Sequence, residues 1–545
     1  MIMNELSQIY LTIADGDTVT LEAGKVYHVR QDDAFLLDGY YCSNSAKQHE
    51  NPTGRRYTAL YLQGKRNVTL DGNGAVVMVH GKMTPILFDR CENITVKNLT
   101  VDYACPTMAE LTVLSNEGGI CELKINPDCL FRIENNRLIW QGETGADGSP
   151  YWEDDYQGNR RHVKRYDPIA QKVYDFGRDA LGMAWIEQLD DTTLRCELKD
   201  KSVCLPAGSI LQTRNIIRDQ VGGIFQRCKN VLVEDCRIKF MHGLGMVSQF
   251  SENVTYRNCD LTPGEGRTIA STADFFQFSG CRGNLVVENC RAWGAQDDYI
   301  NVHGTHLQVM AKNDEDKSIV VRFIHAESWG FQAFEQGDEL EFIKWNTLQP
   351  FAKTKVQSYQ RLNDTDIKLW LDRELPELEL EKDVVENSSW TPNLYVRGCD
   401  FAQTAGRGIL CTTQGEVLIE NNRFYHLWGP ALLIEDDCNF WFESGYTRKI
   451  VFRNNRVEGC DYGPTWENGP EIRYTPKVMD ETFTGSVHGE LILTGNDFRD
   501  AHFGDHWIWL EYVESAEITG NTFDAPYHIG GRCIGSVQDD NNTVV

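Results

Sequence analysis

Along most of this chain short runs of alternating apolar and polar positions end in the same way: Asn or Cys, then a polar residue, then another apolar position. Clear copies are Asn93-Ile94-Thr95-Val96-Lys97-Asn98-Leu99, Val231-Leu232-Val233-Glu234-Asp235-Cys236-Arg237-Ile238 and Val254-Thr255-Tyr256-Arg257-Asn258-Cys259-Asp260-Leu261. Others begin at Leu285, Leu394, Val417, Ile450 and Leu491, and a ninth, Glu517-Ile518-Thr519-Gly520-Asn521, closes the series. Period-two alternation marks a strand with one buried face, and its recurrence at a steady spacing marks a solenoid. Cys236 to Cys259 and Cys399 to Asn422 both span 23 residues, a usual coil of a parallel β-helix, whereas Cys259 to Cys290 spans 31 and predicts a lengthened loop. Coils would stack at about 4.8 Å, each burying its inner face only against its neighbours. The small Cys or Asn at each bend would turn inward and stack on its counterpart in the next coil.

Two stretches break the ladder, from about Cys105 to Asn215 and from about Thr305 to Pro392. Both hold alternating runs, such as Ile319-Val320-Val321-Arg322-Phe323, between charged turns such as Asn313-Asp314-Glu315-Asp316. The expectation is an all-β chain, a right-handed parallel β-helix (solenoid) with two inserted small β-barrel domains. Its parts are N-terminal coils at 1–104, a first barrel at 105–215, central coils at 216–304, a second barrel at 305–392 and C-terminal coils at 393–545.

Composition narrows the function. A length of 545 residues exceeds one ordinary compact core, and 41% hydrophobic with 24% charged residues is the make-up of a folded chain. With 53 Lys+Arg against 80 Asp+Glu and a net charge of −27, no basic surface for a nucleic acid can be built, and a neutral substrate such as a sugar fits better. The 17 cysteines are odd in number, spread along the chain and never spaced Cys-x-x-Cys, which argues against a zinc site. The start, Met1-Ile2-Met3-Asn4-Glu5-Leu6, lacks the basic and apolar regions of a signal peptide, and no apolar run of about 18 residues occurs. The expectation is a cytoplasmic protein with reduced thiols and no membrane partner.

Catalytic side-chain types are densest in Gln296-Asp297-Asp298-Tyr299-Ile300-Asn301-Val302-His303-Gly304. Asp274 stands 23 residues before Asp297, one coil earlier. That register holds if the eight extra residues of the 31-residue step precede Asp274, where Thr262-Pro263-Gly264-Glu265-Gly266-Arg267 is a natural loop. Carboxylates held so close cannot all ionise easily, so one serves as an acid and another stays a base, the division that glycosidic hydrolysis needs. Aspartate also caps backbone N–H groups at turns, and from the residues alone both readings stand. Arg267, Gln277, Asn301, His303, Trp329 and Trp441 are candidates to hold a pyranose by its hydroxyls and C–H faces. Taken singly, His303 and His242 read as turn residues and the two tryptophans as core.

Thr272-Ala273-Asp274 with Phe278-Ser279-Gly280-Cys281, and then Asp297-Asp298-Tyr299-Ile300-Asn301-Val302-His303-Gly304-Thr305, resemble glycoside hydrolase family 110. So do Leu70-Asp71-Gly72-Asn73-Gly74, Ser328-Trp329-Gly330-Phe331 and Asp437-Cys438-Asn439-Phe440-Trp441-Phe442-Glu443-Ser444-Gly445, in order through nearly the whole chain. The resemblance implies an inverting exo-α-1,3-galactosidase, on a β-helix with two inserted barrels, that works without metal or other cofactor. Its substrate would be a galactose-terminated oligosaccharide of blood-group-B or linear type, and its assembly a homodimer. Asp297 would protonate the leaving oxygen, Asp274 and Asp298 would position and deprotonate water, and Asp437 and Glu443 would join the substrate-binding residues. Inversion needs acid and base roughly 6.5–9.5 Å apart, so these side chains must diverge more than their backbones. Three rivals remain: a polygalacturonase-like inverting hydrolase, opposed by the −27 charge; a polysaccharide lyase, opposed by the absence of lysine between Lys239 and Lys312; and a non-catalytic glycan-binding β-helix.

Overall fold

In the computed structural model the described residues are 4–155, 161–175, 182–463 and 469–545. Parallel pairing carries the fold: a 22-stranded and a 12-stranded sheet run along the solenoid, and a typical coil adds two strands to the first and one to the second. Val231–Glu234, for example, lies between Ile94–Lys97 and Val254–Arg257. The alternation sorts side chains as expected, with Val231 and Val233 buried in the core and Leu232 between them half-buried.

The recurring bend has a local cause. The residue before each Cys or Asn adopts a left-handed backbone, at φ 52° in Asp235, 53° in Asn258, 58° in Asn421, 54° in Asn454 and 66° in Gly495, which is why Asn, Asp or Gly stands there. The chain then turns the next side chain inward. Asn422, Asn455, Asn496 and Asn521 are buried, and each amide donates to the next Oδ1, at 3.0, 3.2, 2.9 and, to Asn542, 3.0 Å. Cys236, Cys259, Cys290 and Cys399 fill the same place in the central coils, and all seventeen cysteines are free thiols. The ladder therefore ends one rung later than the sequence pattern. The last coil, Tyr527–Asp540 with Thr543–Val544, is largely exposed and so lacks the apolar alternation that marks the others.

Both insertions return the chain to the register they left. Gly223–Gln226 pairs with Ile86–Asp89 across the first, and Asn393–Arg397 with the strand holding Asn284–Glu288 across the second. The second insertion is a closed six-stranded barrel, from Leu307–Asn313 to Val384–Asn387, around Leu307, Val309, Phe342 and Leu369. The first was expected to be a barrel too. Among the described residues its strands form an open seven-stranded antiparallel sheet, with Lys172–Asp175 and Met183–Gln188 at its edges, beside a separate three-stranded sheet.

The long coil step is divided in a way the spacing did not show. Gly223 stands opposite Met246 and Met246 opposite Phe276, steps of 23 and 30, while Val254 stands opposite Leu285, a step of 31. Seven of the extra residues lie before Asp274, and the eighth is a bulge beside Gly283, at φ 70°. Ser271 then faces Ala295 and Gln277 faces Asn301, so the step there is 24. Asp274 falls opposite Asp298, one place from the partner that a 23-residue coil assigns it.

Candidate active site

The strand Ile300–Thr305 lies between Phe276–Ser279 and Ile409–Cys411. Phe276, Phe278, Ile300 and Val302 point into the core, so Gln277 and Asn301 face outward, where loops cover them and leave a pocket. One register column crosses it: Leu244, Asp274, Asp298 and Arg407 occupy equivalent places in successive coils, and all four line the pocket. Asp297 precedes the column, its carbonyl accepting the Thr404 hydroxyl at 2.7 Å. Gly406 leaves room for that loop, since a Cβ there would lie 2.3 Å from the Asp297 carbonyl carbon.

Asp274, Asp297 and Asp298 each bring an oxygen within 4.8 Å of the other two. Arg407 grips Asp298 with both nitrogens, Nε to Oδ1 at 2.5 Å and Nη2 to Oδ2 at 2.7 Å, and its Nη2 reaches Asp297 at 3.5 Å. Arg218 donates to the other oxygen of Asp297 at 3.0 Å. Behind the loop, the buried Lys164 donates to the carbonyls of Gln296 at 3.0 Å and Ala405 at 3.4 Å, and Arg214 holds the Gln296 side chain at 3.1 Å.

These contacts divide the charge. Burial, then the charges of Asp297 and Asp298, push the Asp274 carboxyl well above the usual carboxylate range. Burial pushes Asp298 up against the pull of Arg407, to about 6. For Asp297 burial acts in the same direction, but Arg218, Arg407, Lys164 and Arg214 outweigh it and hold the group below its ordinary value. Burial and charge thus favour the proton on Asp274 and the negative charge on Asp297. The resemblance gave the acid's part to Asp297, whereas these surroundings favour the proton on Asp274.

Of the other expected residues, Gln277, Asn301, Asp437, Trp441 and Glu443 line the pocket. The buried Gln277 Oε1 and Asn301 Oδ1 have no partner among the described residues and offer two acceptors to hydroxyls. Asp437 also accepts the backbone N–H groups of Asn439, Phe440 and Trp441, at 2.7, 3.0 and 2.5 Å, and so fixes the turn that sets Trp441 in the wall. His303 lies behind the lining. Its Nδ1 meets the Gly304 carbonyl at 2.6 Å, which leaves Nε2 to accept from Gln277 at 2.7 Å. Arg267 and Trp329 are elsewhere: Arg267 pairs with Asp128 of the first insertion at 2.7 Å, and Trp329 donates to the Ala46 carbonyl at 2.8 Å and packs on Tyr41.

Sequence reasoning passed over Arg407, Arg218, Glu435 and Asn44, which donates to Glu443 at 2.5 Å. Arg407 was findable, since it continues the Asp274 and Asp298 column once the barrel is removed from the count. Arg218 and Asn44 carry no such signal. No lysine lies between Lys239 and Lys312 along the chain, yet the fold brings Lys164 of the first insertion to the loop that carries Asp297.

Residues 318–385 match a family model described as GLAA-B beta-barrel domain II. Alpha-1,3-galactosidase A of Bacteroides fragilis (strain ATCC 25285) is 34% identical over 470 residues, covering 84% of this chain and 74% of its own. Alpha-1,3-galactosidase A of Akkermansia muciniphila is 32% identical over 490 residues, covering 88% and 78%. Among solved structures, the A-module of the Azotobacter vinelandii mannuronan C-5 epimerase AlgE4 aligns over 100% of this chain and 92% of its own, at 11% identity and a TM-score of 0.37.

Proposed function

The chain belongs to the α-1,3-galactosidase family, glycoside hydrolase family 110, and on that premise we propose that it hydrolyses terminal α-1,3-linked galactose from oligosaccharides through Asp274, Asp297 and Asp298. The observation that carries this reading is the trio itself, two buried carboxylates and one half-buried, with one oxygen of each within 4.8 Å of the others, in surroundings that favour a proton on Asp274 and an anion on Asp297. The glycosidic oxygen takes the proton as its bond to C1 breaks, and a water oxygen bonds to C1 while its proton returns to the carboxylates. Gln277, Asn301, Glu443 and Trp441 supply acceptors and an apolar face for the departing galactose.

Inversion, and action on blood-group-B-type as well as linear ends, enter the proposal from the resemblance. The anomer first released decides the stereochemistry. The test is proton NMR on the B-type trisaccharide, linear α-1,3-galactobiose and an α-1,4-linked control. Early β-galactose from the α-1,3 substrates alone, absent with Asp297→Asn, supports inversion. Early α-galactose keeps the galactosidase and replaces inversion with retention, and no galactose from any of them sinks the assignment. An aryl α-galactoside with a good leaving group then separates the roles, because the variant lacking the acid keeps far more of its activity there than the variant lacking the base. The proposal includes a homodimer, on the resemblance, and a cytoplasmic location, on the seventeen free thiols. Sedimentation and cell fractionation test these.

A further inference from the structure

On the outer face of the same sheet, toward the N-terminus, lies a cavity of about 360 Å³, against about 50 Å³ for the catalytic pocket. Its floor is a row of strand ends, Gln63, Asp89 and Gln226, and its lining includes Tyr40, Tyr41 and, from the second insertion, Gln332. Asp89 is only 2% exposed. Its Oδ2 accepts from Arg90 at 2.7 Å and Gln63 at 2.9 Å, but the buried Oδ1 has no partner among the described residues. A buried carboxylate oxygen left so is costly unless a donor meets it. The arginines at this cavity are already neutralised, Arg90 by Asp89 at 2.7 Å, Arg361 by Asp364 at 2.7 Å and Arg227 by Glu335. No spare cation there calls for an anionic ligand. Amides, an unfilled carboxylate acceptor and tyrosine rings in a cavity within the usual range for small ligands suit a neutral, hydroxyl-rich ring.

We propose that this cavity is a second carbohydrate-binding site, which holds a neutral hexose unit of the glycan by its hydroxyls on Asp89, Gln63 and Gln332. The Asp89 and Asp274 coils are three strand spacings apart, about 14 Å along the solenoid. The loop between the two sites faces both, with Tyr41 in the cavity and Asn44 in the catalytic pocket. The choice of a sugar as ligand rests on the activity proposed above.

The experiment titrates catalytically silenced Asp297→Asn protein with the linear trisaccharide Galα1,3-Galβ1,4-Glc by calorimetry, alone and with saturating free galactose. A two-site isotherm is expected, in which galactose suppresses the tighter site and Asp89→Asn weakens the other about fivefold or more, the scale of one lost hydrogen bond. Should Asp89→Asn fail to fold, Gln332→Trp fills the cavity from its rim and is expected to abolish the second site. One-site binding unchanged by Gln332→Trp would overturn the proposal. The two readings fail separately: two-site binding by wild-type protein without galactosidase activity would sink the proposed function and leave this site standing.

Discussion

Asp298 is held between two opposing influences, burial that favours its neutral form and the two-nitrogen grip of Arg407 that favours the anion, with the balance at about 6. In the proposed mechanism Asp298 shares the base's part and must then be ionised, so kcat/KM is expected to fall as the pH drops through about 6 and to level off above it. Removing the guanidinium removes the stabilisation of the charged form. Arg407→Met is therefore expected to move this acid limb upward by about a unit or more and to lower kcat by at least about tenfold. A pH profile of the variant with its limb still near 6 would contradict the role given to Arg407. Asp297→Asn is expected to lower kcat by about a thousandfold, within the usual reach of acid–base groups, with little change in the melting temperature.

At the scale of the element, one coil positions the catalytic turn of the coil before it. Gly406 lies against the Asp297 backbone so closely that a methyl group would sit 2.3 Å from its carbonyl carbon. Gly406→Ala is expected to displace the aspartates and lower kcat more than about tenfold, since sub-ångström placement decides such rates. Activity near wild type in a folded Gly406→Ala protein would show that the loop moves freely. The bends impose a different demand. Asn455 donates to Asn496 and to the Ile419 carbonyl and accepts from Asn422, all in the interior. Asn455→Ala leaves buried partners unsatisfied and is expected to cost about 1–3 kcal/mol, read from the urea midpoint. This bend was legible in the chain because its cause is local: a left-handed residue that favours Asn or Gly, then a small residue turned inward.

Across the whole molecule the first insertion serves the catalytic turn. Lys164 leaves its strand in that insertion, is buried, and binds the carbonyls of Gln296 and Ala405 on two successive coils. It also helps to keep Asp297 ionised. Lys164→Met should preserve the solenoid, whose register passes from Ile86–Asp89 to Gly223–Gln226 without the insertion. It is expected to lower kcat by about tenfold or more, with circular dichroism unchanged; full activity in that variant would make the insertion a passive addition. The second insertion plays a similar part through Ser328, which donates to Asn44 at 2.8 Å and so steadies the residue that donates to Glu443.

What the sequence determined by itself was the repeat, the inward Cys and Asn at the bends, the places where the solenoid is interrupted, and the three aspartates. All of these follow from backbone preferences and burial patterns that a few neighbouring residues encode. Tertiary structure decided the rest. A single bulged residue at Gly283 moved Asp298, rather than Asp297, opposite Asp274, and the final rung at Asn542 shows only as a hydrogen bond to Asn521. The open pairing of the first insertion depends on which edges meet. The cations that set the charge of the trio come from Lys164, Arg214, Arg218 and Arg407, spread over three distant segments of the chain. Electrostatic partnership depends on distances between loops after packing, and no local pattern of hydrophobic and polar residues carries that information.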